Sequence, residues 1–125
     1  MEAQINPVNW FEIPVENMDR AKEFYEYVFN CELALNEMGP ALMAWFPMVQ
    51  DGPGATGSLI KADGYTPSVA GSLVYFSVED IDATLKRVEE KGGKTLNPKM
   101  SIGEHGFFGN FVDSEGNRVA LHTAS

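Results

Sequence analysis

Apolar positions along the chain change their period in an order that occurs twice. Residues 10–29, WFEIPVENMDRAKEFYEYVF, run from an apolar stretch through a polar turn into an amphipathic stretch, and residues 73–92, LVYFSVEDIDATLKRVEEKG, do the same. Laid over each other without a gap, Val15 matches Val78, Glu16 matches Glu79, Asp19 matches Asp82 and Glu26 matches Glu89. Asn17/Asp80 and Met18/Ile81 are similar pairs. Such self-similarity is the mark of one supersecondary unit used twice. In the first copy Met18, Ala21, Phe24, Tyr25, Val28 and Phe29 share one face at helical spacing, which predicts a helix over about 18–30. Asn17 supplies an N-cap acceptor, and Asp19 suits the positive end of the helix dipole. In the second copy Ile81, Leu85 and Val88 predict a helix over about 81–91, capped by Asp80 and stopped by Gly92-Gly93.

Three short strand-like segments follow each helix: roughly 32–37, 41–48 and 55–61, then roughly 94–97, 106–113 and 117–123. Met38-Gly39-Pro40 and Gln50-Asp51-Gly52-Pro53-Gly54 separate the first set as turns, and Asp113-Ser114-Glu115-Gly116-Asn117 marks the last hairpin. The prediction is an α+β fold of paired βαβββ modules in a single domain over 1–125. Module 1 spans about 7–61, a linker 62–72, and module 2 about 73–124. One helix covers only one face of its sheet. The other faces, curved around a cleft, are then the natural place for a ligand.

Composition narrows the function classes. A chain of 125 residues, 44% hydrophobic, buries roughly two thirds of its unfolded surface and needs neither disulfide nor metal to fold. The single cysteine, Cys31, has no internal partner, fits a reducing compartment and reads as a small core residue. A net charge of −9 repels polyanions, so nucleic acid and anionic membrane surfaces are poor partners. No apolar run approaches the ~20 residues of a membrane span. Met1 to Asn6 lacks the basic and apolar segments of a secretory leader. The expected localisation is cytoplasmic.

The chain resembles the vicinal oxygen chelate superfamily, which groups glyoxalases, bleomycin resistance proteins and dioxygenases. The residues that carry the likeness are Trp10-Phe11-Glu12-Ile13-Pro14-Val15, Arg20-Ala21, Phe24-Tyr25, Val74-Tyr75-Phe76-Ser77-Val78-Glu79-Asp80 and Phe111-Val112-Asp113-Ser114-Glu115-Gly116-Asn117. The last resembles the family's F-x-D-P-D-G-N hairpin. The resemblance implies paired βαβββ modules and a divalent metal held by His and Glu on the first and last strands of each module. Carried over, those ligand positions fall on Trp10, Leu73, Ala120 and, for the fourth, near Gly57 or Ser58. An indole and two aliphatic side chains cannot ligate a metal. The expectation is therefore no metal and no cofactor, as in the metal-free binding members.

Alternation along strands names the candidate site. If Trp10 faces the cleft, so does Glu12; if Leu73 does, so do Tyr75 and Ser77; if Ala120 does, so do Arg118 and His122. Glu12, Tyr75 and His122 form a candidate polar set, with Glu12 and His122 as candidate acid–base residues, since a carboxylate beside an imidazole fixes its tautomer. A satisfied polar cluster between the sheets is the alternative reading of the same residues. Trp10, Tyr75 and Phe107 are candidates for an aromatic wall, whereas Trp45 reads as ordinary core. In Pro98–Gly106, Glu104 and His105 are flanked by glycines, which makes them candidates for ligand contact; a solvated turn is the alternative. A metal held by Glu104, His105 and His122 is the minority alternative. The sequence thus predicts a metal-independent small-molecule-binding protein, expected as a homodimer. The alternatives are a lyase, isomerase or dioxygenase-type enzyme with relocated ligands or acid–base residues, and a fold relic serving as an interaction partner.

Overall fold

The computed structural model describes residues 6–125. Most of the N-terminal stretch discussed above, residues 1–5, lies outside the described residues. The order of elements is β1 (Trp10–Pro14), α1 (Met18–Phe29), β2 (Ala34–Met38), β3 (Ala41–Trp45), β4 (Thr56–Lys61), β5 (Val74–Ser77), α2 (Ile81–Glu90), β6 (Lys94–Ser101), a short 3-10 turn (Gly103–His105), β7 (Phe107–Val112) and β8 (Arg118–Thr123). The predicted βαβββ unit therefore occurs twice. The helices begin at matching points of the repeat: the Asn17 side chain accepts from the Arg20 amide, and Asp80 accepts from Ala83. Helix α1 ends at Asn30, whose left-handed backbone (φ 52°) suits asparagine better than most residues.

The strands form two four-stranded mixed sheets, sheet A in the order β1-β4-β3-β2 and sheet B in the order β5-β8-β7-β6. Each module pairs its first and last strands in parallel, β1 with β4 and β5 with β8, and its remaining neighbours antiparallel. The helix-facing residues of both sheets meet in one core around Phe24, Tyr25, Leu59, Phe111 and Leu121, all at most 1% exposed. Phe11 of β1 and Phe76 of β5 touch edge to face at 5.5 Å between centroids, closing the core where the modules join. The opposite face of each sheet carries no helix.

Some strand bounds differ from the prediction: β3 ends at Trp45 rather than near residue 48, and β2 runs over Ala34–Met38 rather than about 32–37. Strand β6 differs most: the predicted strand covers about 94–97, but β6 runs on through Pro98 to Ser101. Its position at the outer margin of sheet B explains this, because an edge strand tolerates a residue with no N–H. Two register shifts against β7, between Thr95 and Asn97 and between Asn97 and Met100, absorb the irregularity. The glycine-flanked loop thereby shrinks to Ile102–Gly106.

The β7–β8 hairpin ties the modules together. Asp113, 3% exposed, accepts from the amides of Glu115 (2.8 Å) and Asn117 (2.9 Å), from Asn117 Nδ2 (3.1 Å) and from the Tyr25 hydroxyl (2.6 Å). Asn117 Nδ2 also donates to the Pro14 carbonyl at the end of β1. Glu115 accepts from the Glu16 and Asn17 amides at the start of α1 and takes a two-pronged contact from Arg20, at 2.6 and 2.9 Å. Burial alone would raise the Glu115 pKa. Arg20 and the two amides outweigh it and hold the carboxyl at about 2. An unfolded glutamate titrates near 4.5, so the unfolded chain takes up this proton first as pH falls. The contribution of Glu115 is therefore fully present above pH ~4.5 and is lost as pH drops toward 2. Because Arg20 is half exposed, it should amount to about 2 kcal/mol. Urea unfolding of wild type and Glu115→Gln should differ by that amount at pH 6 and converge near pH 2.5. A gap that stays constant across this range would show the carboxylate charge to be immaterial.

Candidate functional site

Register fixes which side chains share the open face of sheet A. Trp10, Glu12 and Pro14 of β1 stand opposite Thr56, Ser58 and Ile60 of β4, and Ser58 and Ile60 stand opposite Trp45 and Met43 of β3. Ala41 and Met38 complete the face toward the sheet edge. Together Trp10, Glu12, Met38, Ala41, Met43, Trp45 and Ile60 line a recess of about 450 Å³, a volume within the range of small-ligand sites. Its wall is apolar apart from the exposed Glu12 carboxylate at its margin. The Trp10 and Trp45 rings meet edge to face, 5.2 Å apart at 72°, and both tryptophans of the chain belong to this recess.

Two polar atoms on the same face have no partner. Ser58 is fully buried, and its Oγ makes no hydrogen bond; Trp45 Nε1 is buried and also makes none. Glu12, Ser58 and Trp45 form one row across β1, β4 and β3. A buried donor left unpaired costs about 1–3 kcal/mol, so two side by side under an open apolar recess single out this row.

The remaining predicted residues are distributed differently. Tyr75 and Ser77 do share a face with Ala120 and His122, since Tyr75 pairs with Ala120 and Ser77 with His122. Glu12, however, stands on the other sheet. His122 commits Nε2 to the His105 carbonyl at 2.7 Å, so no hydrogen bond joins Glu12, Tyr75 and His122 among the described residues. Tyr75 and Ser77 instead line a larger open groove of about 1320 Å³ between the modules. The four phenylalanine rings in that groove, Phe11, Phe29, Phe46 and Phe76, already pack on one another, and Arg87 donates Nε to the Val28 carbonyl. Glu104 and His105 are exposed on the 3-10 turn between glycines of positive φ.

Phe107 is a correction. It packs against the hydrophobic core on the helix side of β7, with Lys99 Nζ 4.6 Å over its ring, and Phe108 takes the open face beside His122. Phe111, four residues along and wholly buried, sets that parity. Trp45 is a second correction: it is not ordinary core but half the aromatic wall of the recess. Cys31 is half-buried, and burial, with the Glu26 charge adding to it, pushes its thiol up, which leaves it a poor nucleophile.

The fold and the site meet in the comparisons. The family model of the glyoxalase/bleomycin resistance protein/dioxygenase superfamily matches residues 7–121. The chain belongs to this superfamily. A glyoxylase-like domain-containing protein from Didymella fabae is 29% identical over 122 residues, covering 93% of this chain and 92% of its own. Among solved structures, the antibiotic binding protein TnmS3 from Streptomyces sp. CB03234 superposes with a TM-score of 0.66 at 25% identity, over 99% of this chain and all of its own. A glyoxalase I variant from Zea mays superposes with a TM-score of 0.71 at 18% identity. This chain covers 94% of itself there but only 47% of the maize chain, about half that enzyme's length.

The superfamily's usual metal does not fit the residues present. Trp10, Leu73 and Ala120 offer no ligating atom, and Ser58 contributes only a neutral hydroxyl. Among the described residues no group of three or more His, Cys, Asp or Glu side chains is placed to hold an ion. No helix among them is long and apolar enough to cross a membrane.

Proposed function

We propose that this protein binds a small organic molecule, without a metal, in the recess on the open face of sheet A. The carrying observation is the recess itself. It pairs an apolar, tryptophan-walled cavity with two buried polar atoms that lack partners and one carboxylate. Trp10 stands where the resemblance places a metal ligand, so the residue change that removes the metal also builds the aromatic wall. The likeness to an antibiotic binding protein at 25% identity supports the same reading. Tyr75, Ser77, His122, Glu104 and His105 fall outside this recess and have no part in the proposed contacts.

The test joins metal analysis with a neutral apolar dye. Protein purified without a histidine tag should contain no stoichiometric Zn²⁺, Ni²⁺, Mn²⁺ or Fe²⁺, and none of these should raise its Tm. Nile red should bind one per chain and quench tryptophan fluorescence. A bound ligand at about 100 times its Kd adds about 2.7 kcal/mol, a shift of several degrees in a domain of this size. One metal per chain with micromolar affinity and a clear Tm rise would overturn the reading.

The reading includes a homodimer in the cytoplasm. Val8, Leu35, Met38, Met48 and Val49 are each more than half exposed, which is much apolar surface for a small monomer to leave in water. Sedimentation equilibrium should give twice the 13.8 kDa chain mass, and a monomer at every concentration would refute the dimer.

A further inference from the structure

We infer that the recess selects a flat, largely apolar cation: an aromatic ring system that bears a basic alkylamine and a carbonyl or similar oxygen acceptor. The inference rests on the proposed binding site and names its ligand class. Each polar atom of the row specifies its own complement. Indole Nε1–H only donates, so Trp45, which lines the recess, calls for an acceptor on the ligand. An ionised carboxylate only accepts, so Glu12 calls for a charged or neutral N–H donor. Glu12 and Trp45 lie two strands apart in one row, about 10 Å between backbones, which spaces acceptor and amine across a ring system rather than on adjacent atoms.

The faces of the recess fit the rest of such a molecule. Two indole rings set edge to face offer one ring a face to stack on and another an edge to meet. A cation near a tryptophan face gains further attraction from the ring quadrupole. Met38 and Met43 give the floor a soft, adaptable surface for a polycycle of variable outline. No basic side chain lines the recess, and the chain carries a net charge of −9, so an anion of the same shape meets only repulsion.

Three probes of one shape separate these terms: N-(3-aminopropyl)acridone as the cation, N-propylacridone as the neutral form and acridone-N-acetate as the anion. Binding is read by calorimetry and by quenching of the two tryptophans. The cation should bind about tenfold more tightly than the neutral probe, and the anion at least tenfold more weakly than the cation. Glu12→Gln should bring the cation-to-neutral ratio close to one, whereas Glu32→Gln, a carboxylate away from the recess, should leave the ratio unchanged. Trp45→Phe keeps an aromatic ring at the wall and should weaken the neutral acridone about fivefold by removing a donor to its carbonyl. Equal affinity for cation and neutral probe, with both binding, overturns the inference and leaves the binding site standing. Failure of all three to bind while Nile red binds overturns the inference alone, and failure of Nile red as well overturns both. Circular dichroism of each variant confirms that it is folded.

Discussion

Asp113→Ala should destabilise the protein by on the order of 4 kcal/mol, the largest loss expected from one polar substitution in this chain. Four donors converge on the buried carboxylate, and two of them are backbone amides that cannot turn elsewhere. Alanine would leave the Tyr25 hydroxyl and two backbone amides without their acceptor and strip Asn117 Nδ2 of one of its two, in the layer that joins module 2 to α1. Such a loss is a large share of the 5–15 kcal/mol that holds a typical domain. Asp113→Asn keeps one acceptor oxygen and should lose about half as much; Tyr25→Phe removes one donor and should lose about 1–2 kcal/mol. Urea denaturation midpoints at constant m-value measure all three. A loss below about 1 kcal/mol for Asp113→Ala would mean that the hairpin does not couple the modules.

The second large effect is on binding. Trp10→Ala with Trp45→Ala should weaken Nile red about a hundredfold, because the two edge-to-face indoles contribute about 3 kcal/mol of apolar contact between them. Each single change should weaken it about tenfold. Both rings stand on the open face, away from the core around Phe24 and Phe111, so the double variant should remain folded with only a modestly lower Tm. Affinity retained within twofold would move the site elsewhere, the groove between the modules being the next place to probe.

Much of the fold was legible because its signals are local. Cap residues, helical stripes and turn glycines are short-range chemistry, and both helices start where Asn17 and Asp80 indicated. The internal repeat supplied the module order. The site was less legible, for a specific reason. In β3, ALMAW is apolar at every position, so alternation carries no information about which side faces the helix. Only the pairing of Trp45 with Ser58, and of Ser58 with Glu12, shows that Trp45 belongs with Trp10. The set Glu12, Tyr75 and His122 failed differently. Period two placed Tyr75 and Ser77 beside Ala120 and His122, but it says nothing about how two sheets sit relative to each other. Phe107 was chosen for its ring, and its parity with Phe111 was the signal available against it.

The outer margin of sheet B has a consequence for how copies of this chain can accumulate. Pro98 offers no N–H at the exposed edge of β6, and two breaks in register keep that strand from presenting a straight ladder. A further strand laid along it would find gaps where hydrogen bonds should be, so this margin resists templated growth into fibres. The corresponding margin of sheet A, β2, has no such interruption; it leaves Leu35 and Met38 in water and relies on the charge of Glu37 alone. Under crowded or destabilising conditions, aggregation of this protein should therefore begin from one side of the molecule, through the strand Ala34–Met38.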